Sequence, residues 1–582
     1  MTRKLLRRAD YARTSFFLRP LPCLAAHFFT RFFDSELVSG DGDNSLSIGG
    51  VFAIFAVPGL LAPLLLFAKY SSFGAWLTGQ WRRMNVWQMS LADQYLLITW
   101  AMTVTGIATV IKWDSLFPDR RDFAALAPLP LSLARIFYAK VFGLAALLLF
   151  FIIDVNGPSS VVFPMIFIAG WGNFTDYVRF TATHVLAIAA ASAFTFLFFI
   201  AIAGVFQAVL PPRWFVRASR YVRTVAVVSL LSLFLTAFAV SDVLVRGHWP
   251  RLVRMLPPVW FVALSRALFG RPTFPVFPEL ARLATWSLLI VFVAAAVAYA
   301  LSYRRYFMKI PESIDAPAGE YSRVAAALWR VIERLLPGRP AERACAIFAM
   351  KTIVRSEKHW LILGGSLGLA VTIASESIAG APLSRASVPP APVLAFPLVV
   401  IFFLISGLRF VFAMPSELRA NWIFRTCGDL QADTGPRIAR LVMLALIAPF
   451  LILICVPVYA AAFGLAMAAA HTMFAALLSL VLADVALAGY RSIPFTCSWA
   501  PGKGNPAFSI GLYTLAFFLF ASLMSAIEHW ILASVVRYAV MAGVIVAAWL
   551  WWKHEAANGE EPDAVLLYED RREPAVQTLN LS

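Results

Sequence analysis

Two short stretches concentrate the residues that could do chemistry. Pro118-Asp119-Arg120-Arg121-Asp122 packs two acids and two guanidinium groups into adjacent positions. Pro415-Ser-Glu417-Leu-Arg419-Ala-Asn-Trp422 repeats proline, acid and arginine, with Asp429 and Asp433 following. Guanidinium forks and carboxylates at this density suit charge-assisted hydrogen bonds to a protein surface of complementary charge. The stretches hold no catalytic motif and no metal-ligand spacing, so their chemistry reads as recognition and not bond making.

The other candidate groups lie inside or at the edges of long apolar runs: His184, Glu376, Asp484, Glu528 and His529. A charge at the centre of a membrane span is unfavourable by about 2.5–3.5 kcal/mol, which makes each of these a functional candidate. Most stand within a turn or two of a boundary, where snorkelling relieves the penalty, and read as interfacial polar groups. Asp484 is the deepest and the candidate for a buried polar contact. Glu528 and His529 are adjacent, so on a helix they project about 100° apart and are poorly placed to share one metal. No H-E-x-x-H sequence occurs, and the five cysteines form no CxxC pair or metal-ligand spacing with the seven histidines. Asp176, in the outer region Trp171–Arg179, is the one loose candidate for the acid of a lipid-dependent glycosyltransferase. Pro501-Gly-Lys-Gly504 has glycine where a Mg-binding hydroxyl belongs and lacks the preceding spaced glycine, so it reads as a turn. No catalytic residue, metal site or cofactor site is expected within this chain.

The elements that must position these groups are set by composition. The chain has 582 residues, 60% hydrophobic and 14% charged, with a mean hydropathy of +0.76. Soluble domains carry roughly 25% charged residues, and one core stops growing near about 250–300 residues, so lipid must solvate most of this chain. Crossing the hydrocarbon takes about 20 apolar residues. Spans are expected at Val51–Phe67, Tyr95–Ile111, Ile136–Ile153, Val185–Leu210, Val222–Val240 and Leu283–Leu301. A second series is expected at Trp360–Ile378, Val393–Phe412, Leu441–Leu465, Met473–Ala488, Ile510–Ala526 and Ile531–Trp552. Val161–Gly170 is too short to span and is expected to dip into the outer interface. The fold class is an all-α polytopic membrane protein of about twelve helices.

The net charge of +17 follows from topology and gives no reason to expect nucleic acid. With the amino terminus inside, roughly three quarters of the Lys and Arg residues fall on the cytoplasmic side, as positive-inside orientation requires. The main exception is the outer segment Arg246–Arg282. Cys23, Cys345, Cys427 and Cys497 then face the cytoplasm and Cys455 lies in a span, which leaves no thiol on the oxidising side. Phe16-Phe-Leu-Arg-Pro-Leu-Pro is broken too early to be a signal peptide. Phe28, Phe29, Phe32 and Phe33, interspersed with Arg31 and Asp34, suit a helix lying flat at the headgroups.

The domain plan follows: 1–50 an interfacial amphipathic segment, 51–302 a first six-span half, 303–359 a cytoplasmic linker containing the helix-like run Tyr321–Leu336, 360–552 a second six-span half, and 553–582 an acidic tail. Six spans from an inside start return inside, so the halves are parallel repeats and both charged loops share one face. The loop Arg491–Lys503 reads as a membrane-surface turn more readily than as a second partner contact.

At Asp119, Arg120, Arg121 and Asp122, followed by Leu129-Pro-Leu-Ser132, the chain resembles the membrane subunit of an ABC transporter of the ABC-2 exporter class. The outer Leu256-Pro-Pro-Val-Trp-Phe261 and the flat amino-terminal helix are similar to features of the same family. The resemblance implies a permease without its own ATP site, coupled to separate cytoplasmic ABC ATPase subunits that hold ATP and Mg. Coupling would run through Asp119, Arg120, Arg121 and Asp122 in the first half and Glu417 and Arg419 in the second. It further implies a pseudo-dimer fused in one chain, in a bacterial cytoplasmic (inner) membrane with both termini inside. The alternatives from the residues are a motor-independent secondary transporter or lipid-handling protein and, third, an embedded transferase.

Overall fold

Apolar runs of this length satisfy their backbone in lipid by forming helices, and the chain follows that rule. A computed structural model describes residues 20–33, 66, 70, 86–117, 126, 131–168, 173–247, 250–270, 274–307, 323–379, 388–416, 421, 423–424, 433–497 and 506–558. Among these the regular elements are helices and none is a strand. Among the described residues ten helices are long and apolar enough to cross a membrane, so the protein is an all-α, multi-pass membrane protein. The chain divides into two compact units, Met1–Pro317 and Ala318–Ser582.

Unit 1 holds α1 (Pro20–Phe33), α2 (Val86–Ile111), α3 (Leu133–Ile168), α4 (Phe174–Val209), α5 (Pro212–Leu235), α6 (Ala237–Val245), α7 (Arg251–Met255), α8 (Pro257–Phe269) and α9 (Phe277–Phe307). Helix α4 is central and packs against α2, α3, α8 and α9. Its approach to α9 needs a small residue: a Cβ on Gly204 would stand 3.0 Å from the Ala298 Cβ, the close-packing device of helices in lipid. Outward faces of α3 and α9 expose Phe142, Leu149, Ile153, Trp286 and Phe292, as lipid contact requires.

Several expectations for unit 1 are corrected. Val161–Gly170 is no separate dipping segment, because α3 runs unbroken to Ile168 through Pro158 and Pro164. Prolines are tolerated within membrane helices, where the rest of the backbone keeps its own hydrogen bonds. Residues 174–179, taken as an outer loop, form the first turns of α4, whose N-cap Asn173 accepts from the Asp176 amide at 3.0 Å. The span Val222–Val240 is interrupted at Thr236, whose hydroxyl donates back to the Ser232 carbonyl at 2.8 Å. Val51–Phe67 lies outside the described residues apart from position 66.

Unit 2 holds α10 (Arg323–Leu335), α11 (Pro340–Arg355), α12 (Glu357–Ala379), α13 (Ala391–Phe412), α14 (Thr434–Phe450), α15 (Val456–Phe463), α16 (Leu465–Ala486), α17 (Pro506–Phe517), α18 (Met524–Ile531) and α19 (Val535–Asn558). Short π-helical segments, Leu451–Cys455 and Phe518–Leu523, join α14 to α15 and α17 to α18. The core gathers Leu398, Ile405 and Leu408 of α13 with Ile438 and Val442 of α14 and Phe474 and Leu478 of α16. Cys345, Ala346, Ala349 and Ile353 of α11 enter the same core, so this part of the 303–359 segment is packed structure belonging to unit 2. Helix α12 covers the expected seventh span and is 23 residues long; it begins with Glu, Lys and His and is not one of the ten candidate membrane-crossing helices.

Candidate functional site

The six predicted coupling residues, Asp119, Arg120, Arg121, Asp122, Glu417 and Arg419, lie outside the described residues. Their frames do not. Below α2 the chain tightens into a 3₁₀ turn, Trp113–Ser115, then buries Leu116 and Phe117. Phe117 stacks on Tyr299 of α9 at 5.0 Å, and the Tyr299 hydroxyl donates to the Leu116 carbonyl at 3.4 Å. Arg223 of α5 donates to the last carbonyl of α2, Ile111, at 3.2 Å. On the exit side, Leu126 clusters with Phe28 of α1, Ile136 and Ala139 of α3, and Tyr303 of α9. Helix α1 is fastened by cation–π contacts, Lys140 over Phe28 at 4.5 Å and Lys112 over Phe32 at 5.4 Å. The expected flat helix is therefore seated against α3, with Phe28 and Phe32 buried.

The second loop is framed by a clasp. The segment after α16, expected as a surface turn, folds back so that Ile493, Pro494, Phe495 and Thr496 are buried. The Phe495 amide donates to the Phe412 carbonyl at 3.0 Å, and the Ser416 amide donates to the Phe495 carbonyl at 3.2 Å. Asn421 Nδ2 donates to the Thr496 carbonyl at 2.8 Å. His359, in the first turn of α12, donates from Nε2 to the Met414 carbonyl at 3.1 Å and meets the Phe495 ring at 4.8 Å. Burial disfavours the imidazolium and lowers the His359 pKa to about 4. Phe495 has φ +71°, a conformation that is unfavourable by roughly 1–3 kcal/mol for a residue with a Cβ and persists only where surroundings impose it.

Beside this clasp stands Asp484, two residues before the end of α16. It accepts from Trp549 Nε1 at 2.9 Å and pairs with Arg440 at 3.1 Å and Lys553 at 3.2 Å. One carboxylate thus ties α14, α16 and α19 together. Arg437, one turn earlier on α14, bridges Asp433 and Glu342 of α11. Asp176 sits in the first turn of α4, where a carboxylate suits the positive end of the helix dipole. Glu376 belongs to α12, and its side chain lies outside the description.

Two polar clusters are more deeply buried than the sequence indicated. His184 does not mark the start of a span: it lies ten residues into α4, fully buried, and contacts Gln94 of α2 at 3.1 Å. Gln94 also donates to Ser265 of α8 at 2.7 Å and accepts from Arg266 Nε at 2.9 Å, while Arg266 Nη2 donates to Ser90 at 2.6 Å. Tyr70 donates to Asp93 alongside. Arg266, counted on the exposed outer segment by its sequence position, is 1% exposed. It faces the Phe180 ring at 5.2 Å. The signal available in advance was the polar set Ser90, Asp93 and Gln94 on one stripe of an otherwise apolar α2.

In unit 2, Glu528 was expected at an interfacial turn. It lies inside α18 at 0% exposure and pairs with His471 Nδ1 of α16 at 2.6 Å. His471 carried little sequence signal, standing beside Thr472 in a largely apolar helix 57 positions from its partner. His529 turns away and donates to the Pro389 carbonyl at 2.8 Å. Among the described residues no three His, Cys, Asp or Glu side chains come together as a metal-binding group. No protein-family model matches the chain, and no curated protein or solved structure matches it at a significant level.

Proposed function

We propose that the chain is the transmembrane permease subunit of an ATP-driven, ABC-2-like exporter, with about twelve spans in two parallel halves and both termini in the cytoplasm of a bacterial cell. A separate ABC ATPase, holding ATP and Mg, would dock on Asp119, Arg120, Arg121 and Asp122 and on Glu417 and Arg419. The observation that carries this reading is the framing of both loops. Each emerges between described ends that are pinned to other parts of the fold: Phe117 on Tyr299 and Leu126 on Phe28 in unit 1, and Ser416 and Asn421 hydrogen-bonded to the Phe495 and Thr496 carbonyls of the segment after α16 in unit 2. A loop meant only to stop sliding needs charge and nothing else. A loop meant to transmit force needs stiff attachment to several helices, because a slack connection would absorb the displacement. In this mechanism the permease does no bond chemistry. Docked ATPases close, push the loops, and the bracing carries the motion into α2, α3, α9, α13 and α16, opening the path between helices alternately to each side.

The test is co-purification from detergent-solubilised native membranes. A Walker-type ATPase should accompany the wild-type chain and be lost from the Arg120→Glu plus Arg121→Glu variant, with a weaker loss for Arg419→Glu. An ATPase retained by the charge-reversed variant, or none with the wild type, overturns the reading.

A further inference from the structure

The His471–Glu528 pair has no part in loop docking, and its construction is specific. It lies near the end of unit 2 where α13 begins, α15 turns into α16 and α18 turns into α19. Glu528 is three residues before the end of α18 and His471 six residues after the start of α16, so the pair sits about 5–9 Å inside that end at the helical rise. Both side chains are fully buried, at 1% and 0% exposure. Among the described residues no lysine or arginine is ion-paired to Glu528, so its charge is offset by His471 alone.

Each partner also has an unspent valence. Glu528 Oε2 and His471 Nε2 are buried and find no hydrogen-bond partner among the described residues. A buried polar atom left unpaired is unfavourable by about 1–3 kcal/mol, and rather more when the group is charged. Such atoms are rare in folded interiors and point to a role. The Tyr459 ring covers the imidazole at 4.4 Å, and its hydroxyl is committed to the Val393 carbonyl at 2.5 Å.

The helices bend their geometry to assemble this group. The two π-helical segments, Leu451–Cys455 and Phe518–Leu523, end four residues before Tyr459 and five before Glu528. A π segment inserts one residue into the helix and rotates everything after it by about 100°, and such bulges recur at functional sites. Two independent helices thus carry the same distortion immediately before the residues they deliver to one point.

We propose that His471 and Glu528 form a membrane-embedded proton-binding site, loaded from the aqueous phase at the end of unit 2 nearest the pair. The space between the side chains is closed by packing, which suits a proton and excludes larger solutes. Loading forms an O–H bond on the unpaired Glu528 Oε2. Unloading returns that proton to water and leaves the carboxylate accepting from His471 Nδ1. The other ionisable groups facing the pair are Tyr459, Cys455 next to it, and Tyr538 of α19, whose hydroxyl donates to the Ala470 carbonyl at 2.8 Å. His529 is held on Pro389, and Arg537 of α19 turns to Trp530. The inference stands independently of the ATPase reading.

Infrared difference spectroscopy on the purified full-length protein in lipid bilayers tests it. Stepping the pH between about 4 and 9 should reveal the carbonyl band of a protonated carboxyl that is absent from Glu528→Gln. In His471→Asn the band should remain with its midpoint displaced by about one pH unit or more. Glu528→Asp, which keeps a carboxyl on a shorter stem, should retain a titrating band if Glu528→Gln fails to fold. A wild-type protein without a titrating band, an identical band in Glu528→Gln, or an unmoved midpoint in His471→Asn overturns the proposal.

Discussion

Phe495 gives the sharpest test of the clasp. Its ring is 1% exposed and packs between Phe412 at 5.6 Å and His359 at 4.8 Å, so Phe495→Ala should weaken the clasp by about 3–5 kcal/mol. The backbone makes a second, less ordinary demand. At φ +71° alanine pays about 1–2 kcal/mol that glycine does not, whereas glycine gives up about 0.5–1 kcal/mol through the freedom of the open chain. Glycine should therefore be the better small residue here by about 0.5–1 kcal/mol, the reverse of its usual standing against alanine. Cys497, two residues on and half-buried, reports opening through its rate of alkylation in a background with Cys23 and Cys427 replaced by serine. When opening is fast relative to labelling, each 1.4 kcal/mol is a tenfold change in the open population. Phe495→Ala should label about a hundredfold or more faster than wild type, and Phe495→Gly about two- to fivefold slower than Phe495→Ala. Alanine equal to or better than glycine would refute the left-handed clasp.

Two further outcomes follow from the same face of unit 2. His359 is held neutral by burial, with its pKa lowered to about 4, so the open chain binds more protons below about pH 6.5 and the clasp loses stability as pH falls through that window, by up to roughly 3 kcal/mol. Thermal unfolding followed by fluorescence should show a drop on acidification that is flattened in His359→Leu, and an equal slope in both proteins would exclude His359 as the cause. Asp484→Asn should destabilise unit 2 by about 1–3 kcal/mol because Arg440 and Lys553 lose their shared counter-charge. Adding Lys553→Met should recover part of that loss in a double-mutant cycle, and strict additivity would refute the three-helix tie.

The helices were legible because their signal is local. Length and apolarity alone locate Val393–Phe412, realised as Ala391–Phe412, and Ile531–Trp552, realised as Val535–Asn558. Where the reading failed, a local breaker was overruled by packing. The span expected to end at Ile153 continues as α3 through Gly157 and Pro158, because lipid leaves the backbone no better partner than itself. The buried polar groups were hidden for the opposite reason. Arg266 reads as an outer-loop cation by sequence position, and only the meeting of α8 with Ser90 and Gln94 reveals its burial. Glu528 reaches His471, and Tyr459 reaches the imidazole, each just after a π segment, which no periodicity of side chains announces. Asp484 could be singled out because an acid inside an apolar run is conspicuous alone, although its position near a helix end and its partners Arg440, Lys553 and Trp549 could not be foreseen.

The unbroken α3 has a further consequence. Its 36 residues extend about 54 Å at the helical rise, against a hydrocarbon core of about 30 Å. Even at the steepest usual tilt of about 40°, about 39 Å would match that core, which leaves roughly ten residues of apolar helix over. The inward side of that surplus, Phe163, Phe167 and Ile168, is sheltered by Tyr70, Phe180 and Phe269. The outward side, Val161 and Met165, is exposed. Hydrophobic mismatch then falls on one flank of unit 1, where the surrounding bilayer must thicken or its lipids splay to cover those two side chains.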